Sequence, residues 1–198
     1  MQQEQEAGGR IMDGKIILIV GGARSGKSRL AEEMAMQAGG TVAYIATANV
    51  YDDEMAERVR THQSRRPAGW LTVEEPLLLT SALERVPLTT NTVIMDCLTL
   101  WLTNLLLQRF DDSASPAEHR QWDEEILAQV AELCSRLHEA SFCTIIVSNE
   151  VGSGLVPEHP LGRVFRDIAG RANQLVAAQA DRVYLAVAGL SLCVKGGT

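Results

Sequence analysis

Short, almost continuous apolar runs recur along this chain, separated by stretches with helical periodicity. Lys15–Val20 (KIILIV), Thr41–Ala46 (TVAYIA), Thr92–Cys97 (TVIMDC) and Phe142–Ser148 (FCTIIVS) read as strands covered on both faces, because neither alternate set of side chains is polar. The glycine-rich segment after the first run opens a helix that continues to about Gln37 and is closed by Gly39-Gly40. Asp52–Arg66 predicts a charged helix stopped by Pro67, with acids in its first turn and arginines in its last, which suits the helix dipole. Trp70–Glu74 is a short extended piece, and helices are expected over Pro76–Arg85, Thr99–Gln108, Pro116–Ala140 and Leu161–Gln179. In the longest of these, Ile126, Val130, Leu133 and Leu137 form one stripe. Phe110–Glu118 is polar loop up to the start of that helix. Arg182–Val187 and Leu190–Val194, separated by Ala188-Gly189, predict a hairpin. Strands alternating with helices specify an α/β fold: a mostly parallel sheet with helices on both faces and an antiparallel C-terminal edge hairpin. Ligands in such sheets bind at the carboxyl ends of the strands.

The 198 residues are read as one catalytic domain over residues 15–198, preceded by a polar, flexible tail at residues 1–14. A hydrophobic share of 46% and a charged share of 22% are those of an ordinary globular protein. The formal net charge of −7 argues against nonspecific nucleic-acid binding, which needs a basic surface. No apolar stretch reaches the roughly 20 residues of a membrane span, and Met1–Gly14 lacks the apolar core of a signal peptide; a cytoplasmic protein is expected. Cys97, Cys134, Cys143 and Cys193 form no C-x-x-C pair and read as small buried hydrophobes rather than metal ligands or disulfide partners.

Gly21-Gly22-Ala23-Arg24-Ser25-Gly26-Lys27-Ser28 fits the phosphate-binding pattern G-x-x-x-x-G-K-[ST] in full. Glycines let successive backbone N–H groups turn toward phosphate oxygens, and the helix that begins here adds its positive end. Lys27 would reach the β- and γ-phosphates, and the Ser28 hydroxyl would ligate Mg²⁺. From average residue usage the pattern arises by chance in roughly one per cent of chains this long, so its position between a strand and a helix is what makes it specific. The loop is therefore expected to bind a purine nucleoside triphosphate with Mg²⁺. Asp96 ends the third core strand, where such proteins place a carboxylate for Mg²⁺; an aspartate there also caps a following helix.

On the charged helix, Arg58, His62, Arg65 and Arg66 are spaced by three or four positions or adjacent and share one side. Neighbouring positive charge disfavours protonation of the imidazole, leaving a lone pair that can attack phosphorus while arginines hold phosphate oxygens. A solvated helix with an incidental histidine gives the same spacing. Asn149–Gly154 follows the fourth strand and suits either close backbone approach to a ligand or an ordinary turn. Arg163, Arg166 and Arg171 near the start of the last long helix could meet phosphate, carboxylate, a partner or water. Asp167–Gly170 matches D-x-x-G of signalling GTPases, but it lies inside a predicted helix with no N-K-x-D after it, and that match is rejected.

Taken together, these motifs resemble the bifunctional adenosylcobinamide kinase/adenosylcobinamide-phosphate guanylyltransferases of cobalamin biosynthesis. The likeness spans Lys15–Lys195 and rests on GGARSGKS, YIATA (Tyr44–Ala48), DDEMAERVRTHQSRRPAGW (Asp52–Trp70), EEP (Glu74–Pro76), DCLTLWLTNLL (Asp96–Leu106) and NEVGSGLVPEHPLGRVFRDIAGRANQ (Asn149–Gln174). The resemblance implies a RecA-like P-loop fold, a homotrimer, and two reactions: phosphorylation of adenosylcobinamide by ATP or GTP, then transfer of GMP from GTP to adenosylcobinamide phosphate through a GMP–histidine intermediate. It implies His62 as the nucleophile and Lys27 as the other catalytic residue. It further implies nucleotide contacts at Gly21 to Ser28, at Thr47, Ala48 and Asn49, at Gln63, Ser64, Arg65 and Arg66, and at Glu74 and Asp96. Gln63 departs from the pattern, since a basic residue often follows the histidine in relatives; Arg65 is the expected substitute. The alternatives left by the residues themselves are a P-loop small-molecule kinase without guanylyltransferase activity, and a nucleotide-gated binding protein.

Overall fold

The computed structural model describes residues 14–49, 53–111, 113–154 and 156–196, with only the backbone for Glu54, Met55, Arg58, His62 and Arg65. The expected N-terminal tail lies outside the described residues except for Gly14. Strands β1 (Ile16–Gly21), β2 (Val42–Ala46), β3 (Leu71–Glu74), β4 (Thr92–Asp96), β5 (Cys143–Asn149), β6 (Arg182–Val187) and β7 (Leu190–Lys195) form one seven-stranded sheet in the order β3-β2-β4-β5-β1-β6-β7. All neighbours are parallel except β6 and β7. Helices α1 (Lys27–Ala38), α2 (Asp53–Arg65), α3 (Leu79–Glu84), α4 (Leu98–Leu107), α5 (Pro116–Glu139) and α6 (Pro160–Gln179) connect them. The α/β architecture and the antiparallel edge hairpin are those expected from the hydrophobic pattern.

Strand β1 lies inside the sheet between β5 and β6, and Ile16, Ile17, Leu18 and Ile19 are all fully buried. Ile16 and Leu18 face an apolar layer completed by α3, α4, α5 and α6, whereas Ile17 and Ile19 face α1. The continuous apolar run is thus the direct result of two covered faces. The parallel register brings Gly21, Ala46, Glu74, Asp96 and Asn149 to one edge of the sheet. Among the described residues, α2 contributes none to either apolar layer.

One helix begins later than its hydrophobic pattern suggests. The helix expected from Pro76 starts at Leu79, because Glu75 accepts the backbone N–H groups of Leu77 and Leu78 at 3.1 and 3.0 Å and so holds that segment as a capping turn. By contrast, α5 starts where Pro116 predicts. Ser115 Oγ accepts the N–H of Glu118, and the Glu118 carboxylate accepts the N–H of Ser115 at 2.7 Å, a reciprocal capping box.

Ser115→Ala removes one half of that box while Pro116 and Glu118 remain. It should destabilise the protein by about 1 kcal/mol, read as a lower midpoint of urea unfolding.

Candidate nucleotide-binding site

The loop between β1 and α1 is shaped by close backbone packing. A Cβ on Gly21 would lie 2.2 Å from the carbonyl oxygen of Ala186 on β6, so only glycine lets β1 leave the sheet at that point. Gly26, the N-cap of α1, has φ 98°, a conformation that glycine adopts freely. The loop is braced from both sides: Gly189 N–H donates to Ser25 O at 3.0 Å, and Glu150 N–H donates to Gly21 O at 2.9 Å. Ser25 Oγ is buried with no hydrogen-bond partner. Lys27 is 7% exposed, and its ammonium donates to Gly22 O at 2.6 Å. Burial lowers its pKa from the usual lysine value, with Cys97 and Asp96 acting in the opposite direction. A desolvated cation at a glycine-rich helix N-terminus is a receptor for polyanions, whose charge offsets its burial.

The second wall is the edge formed by β2 and β4. Thr47 is fully buried; its hydroxyl accepts the N–H of Cys97 and donates to the Cys97 carbonyl, both at 2.8 Å. Asn104, from the mostly apolar α4, donates to the carbonyls of Thr47 and Pro76 at 2.9 Å each. These bonds fix the turn from which Asp96 projects. The Thr47 side chain is therefore part of the scaffold of the site. Tyr44 is 1% exposed, and its hydroxyl donates to Asp96 Oδ2 at 2.6 Å. Burial, then the Asp96 charge, pushes the phenol pKa upward, so it remains a proton donor. Ser28 and Asp96 are half-buried and offer the hard oxygen donors that Mg²⁺ takes alongside water and phosphate; these residues fit that ion.

The third component is the C-terminal end of α2. His62 lies in its last turn. Gln63 donates to Glu74 Oε1 at 3.1 Å, which pairs two of the expected nucleotide contacts with each other. Ser64 Oγ turns back to the carbonyl of Thr61 at 3.0 Å. Just past the helix, the Arg66 guanidinium carbon stands 3.5 Å from the centre of the Tyr44 ring, a cation–π contact. Its Nε is buried with no partner, an unspent donor of the kind that an anion would fill. Ala48 and Asn49 continue from Thr47 along the same edge.

Other expectations resolve individually. The Asn149–Gly154 segment does approach the phosphate loop, through Glu150 and Gly21, and Asn149 is anchored to Thr99 Oγ1 at 3.0 Å. Arg163 donates to the carbonyls of Pro157 and Glu158, Arg171 pairs with Asp123 at 3.3 Å, and Arg166 keeps a buried Nη1 without a partner. Asp167–Gly170 lies within α6. All four cysteines are free; Cys97 and Cys134 are buried, but Cys143 and Cys193 are half-buried, the latter because β7 is the outer strand. Desolvation pushes the Cys97 thiol up to about 11, which leaves it a neutral packing group. The periodicity reading missed Tyr44 and Asn104 as site residues. Tyr44 is a lone hydrogen-bonding side chain in an apolar run, and Asn104 is a buried amide in a mostly apolar helix; those are the signals that could have found them.

The chain matches the family model described as cobinamide kinase / cobinamide phosphate guanyltransferase over residues 17–194. It is 45% identical over 183 residues to the bifunctional adenosylcobalamin biosynthesis protein CobP of Pseudomonas aeruginosa, covering 90% of this chain and 96% of that protein. It is 40% identical over 185 residues to the bifunctional adenosylcobalamin biosynthesis protein CobU of Escherichia coli, covering 91% and 99%. The corresponding CobU of Salmonella typhimurium is 39% identical over 185 residues, with the same coverage.

Thr47→Val keeps the volume of the side chain but strands the N–H and carbonyl of Cys97. It should cost about 1–3 kcal/mol for a buried unsatisfied group, seen as a lowered urea midpoint, and the displaced Asp96 should weaken binding of a fluorescent GTP analogue.

Proposed function

Because the chain belongs to the cobinamide kinase / cobinamide phosphate guanyltransferase family, we propose that one nucleotide cradle serves its two transfers. The protein is a bifunctional enzyme of adenosylcobalamin biosynthesis: a kinase acting on cobinamide and a guanylyltransferase acting on cobinamide phosphate. In the first reaction the aminopropanol hydroxyl of adenosylcobinamide attacks the γ-phosphorus of ATP or GTP. A new P–O bond forms, the bond to the β-phosphate oxygen breaks, and the hydroxyl proton is lost. Lys27 exchanges its bond to Gly22 O for β- and γ-phosphate oxygens, and the loop N–H groups from Gly21 to Ser28 hold the remainder. Ser28 and Asp96 would hold Mg²⁺, which neutralises charge that develops on the phosphates.

In the second reaction a nitrogen of His62 attacks the α-phosphorus of GTP. The P–N bond forms as the bond to pyrophosphate breaks, and a phosphate oxygen of adenosylcobinamide phosphate then displaces the imidazole to give adenosylcobinamide-GDP. The covalent step divides one difficult displacement into two. Gln63, Ser64, Arg65 and Arg66 hold nucleotide oxygens beside it, with Ala48, Asn49 and Glu74 completing the nucleotide contacts, whereas Thr47, expected among them, is fully buried and supports the site from behind. The observation that carries this reading is the chain Arg66–Tyr44–Asp96, which brings the end of the helix bearing His62 to the carboxylate beside Lys27. We also read the enzyme as a cytoplasmic homotrimer. Among the described residues no helix is long and apolar enough to cross a membrane.

Incubation with GTP labelled in the α-phosphate, followed by intact-mass analysis, tests the nucleophile. An acid-labile GMP adduct should form on the wild type and not on His62→Ala, which retains kinase turnover of the same order. Lys27→Ala should lower both reactions by about 10²-fold or more. Equal loss of both activities in His62→Ala, or intact guanylyl transfer in Lys27→Ala, would overturn this division of labour. Sedimentation equilibrium should give three times the chain mass of 21.6 kDa; a monomer would refute the trimer.

A further inference from the structure

Among the described residues, a small set of contacts joins the sheet edge that carries Asp96 to the helix that carries His62. No described α2 side chain enters either apolar layer. The contacts that seat the helix end are Gln63 on Glu74 at 3.1 Å, between exposed groups, and Arg66 on Tyr44 with its guanidinium carbon 3.5 Å from the ring centre. Arg66 also reaches Thr72 Oγ1 at 3.5 Å, the long limit of a hydrogen bond. Of these partners Tyr44 is the buried one: it lies in the middle of β2, paired in register with β3 and β4, and is almost wholly excluded from water at 1% exposure, whereas Thr72 and Glu74 on β3 are exposed. Its two ends act on different components. The hydroxyl bonds one oxygen of Asp96 at 2.6 Å, and the ring face receives Arg66.

We propose that Tyr44 is a positioning residue for both transfers: its hydroxyl fixes the orientation of the Asp96 carboxylate, and its ring fixes where α2 ends beside the phosphate cradle. The assignment rests on the roles given above to Asp96 and Arg66, and it adds a physical link between them. A guanidinium seated over an aromatic face is held by the charge distribution of the ring and need not spend an N–H group on it. Seating Arg66 in this way therefore leaves its donors available for phosphate. A phenol held in the middle of β2 gives Asp96 a hydrogen bond from a fixed position. The two contacts share one rigid side chain, so the spacing between the carboxylate and the arginine is set by the width of a phenol.

The test separates the two ends of the ring. Tyr44→Phe keeps the stacking surface and removes the hydroxyl; Tyr44→Leu removes both. Tyr44→Phe should lower kinase kcat about tenfold, the scale of one hydrogen bond to a charged group, with little change in nucleotide KM. In an Asp96→Asn background, followed in single turnover, it should lower the rate no further, because the residue acts through that carboxylate. Formation of the GMP adduct should fall further in Tyr44→Leu than in Tyr44→Phe, and this extra loss should vanish in an Arg66→Ala background. Rates are compared at equal folded protein, checked by thermal unfolding of each variant. Full, additive losses in the double variants would assign Tyr44 a general packing role and overturn the proposal. So would unchanged kinetics in Tyr44→Phe while Asp96→Asn is impaired, an outcome that leaves the reading of Asp96 standing. Unimpaired Asp96→Asn would instead remove the role of Asp96 and the proposal with it.

Discussion

The hydroxyl of Thr47 closes a hydrogen-bonded ring with the backbone of Cys97, accepting its N–H and donating to its carbonyl, and the geometry of the site depends on this exchange. Parallel strands end with N–H and carbonyl groups that the ladder no longer satisfies, and burying them unpaired is costly. At β2 and β4 the protein answers with one buried threonine, and Asn104 then takes up the Thr47 and Pro76 carbonyls. The two strand ends are thereby held level, and Asp96 leaves the sheet from a backbone with no spare freedom. A site in which charge must be held to within a fraction of an ångström benefits from such support. The same logic applies on the other side of the cradle, where Gly21 passes against Ala186 so closely that a side chain is excluded.

Charge is distributed unevenly. The chain as a whole is acidic, at −7, yet the cradle concentrates donors that lack full compensation: Lys27 bonded to a loop carbonyl, Ser25 Oγ buried without a partner and Arg66 Nε likewise. Each of these costs stability in a folded protein. Their convergence on one edge of the sheet is what a polyphosphate site requires, because the ligand supplies the missing acceptors. Several basic groups elsewhere are paired, Arg171 with Asp123, Arg85 with Glu75 and Arg163 with backbone carbonyls, whereas Arg166 on α6 also keeps a buried Nη1 without a partner. Local incompleteness, rather than net charge, marks the functional surface.

Much of this was legible in the residues. The apolar runs locate the strands because burial on both faces leaves no alternation to misread, and the phosphate loop is recognisable because its glycines answer steric demands that other residues cannot meet. Asp96 was found from its place at a strand end. The start of α3 was misjudged, since Pro76 signals a helix start while the Glu75 carboxylate imposes a capping turn. Tyr44 looked like core, and by burial it is. Periodicity reports which residues share a face, but it does not report which distant group lies within reach of a hydroxyl. The partnership of Tyr44 with Asp96 spans 52 positions, and it exists only once β2 and β4 are paired.

That pairing bears on how one cradle accommodates two different phosphorus atoms. Transfer of a γ-phosphoryl group and attack on an α-phosphorus displace different bonds of a triphosphate, so groups arranged around one centre cannot all serve the other. Two solutions exist: two sites, or one cradle with a second reactive group set at a distance along the nucleotide. The packing favours the second. The loop and Asp96 are built into the sheet, whereas α2 is appended to it through its last residues and contributes nothing described to the apolar layers. A helix attached in this way can present its end to the nucleotide without disturbing the core that holds the phosphates. The attachment must still be specific in length, and a single aromatic ring between Arg66 and Asp96 supplies that spacing.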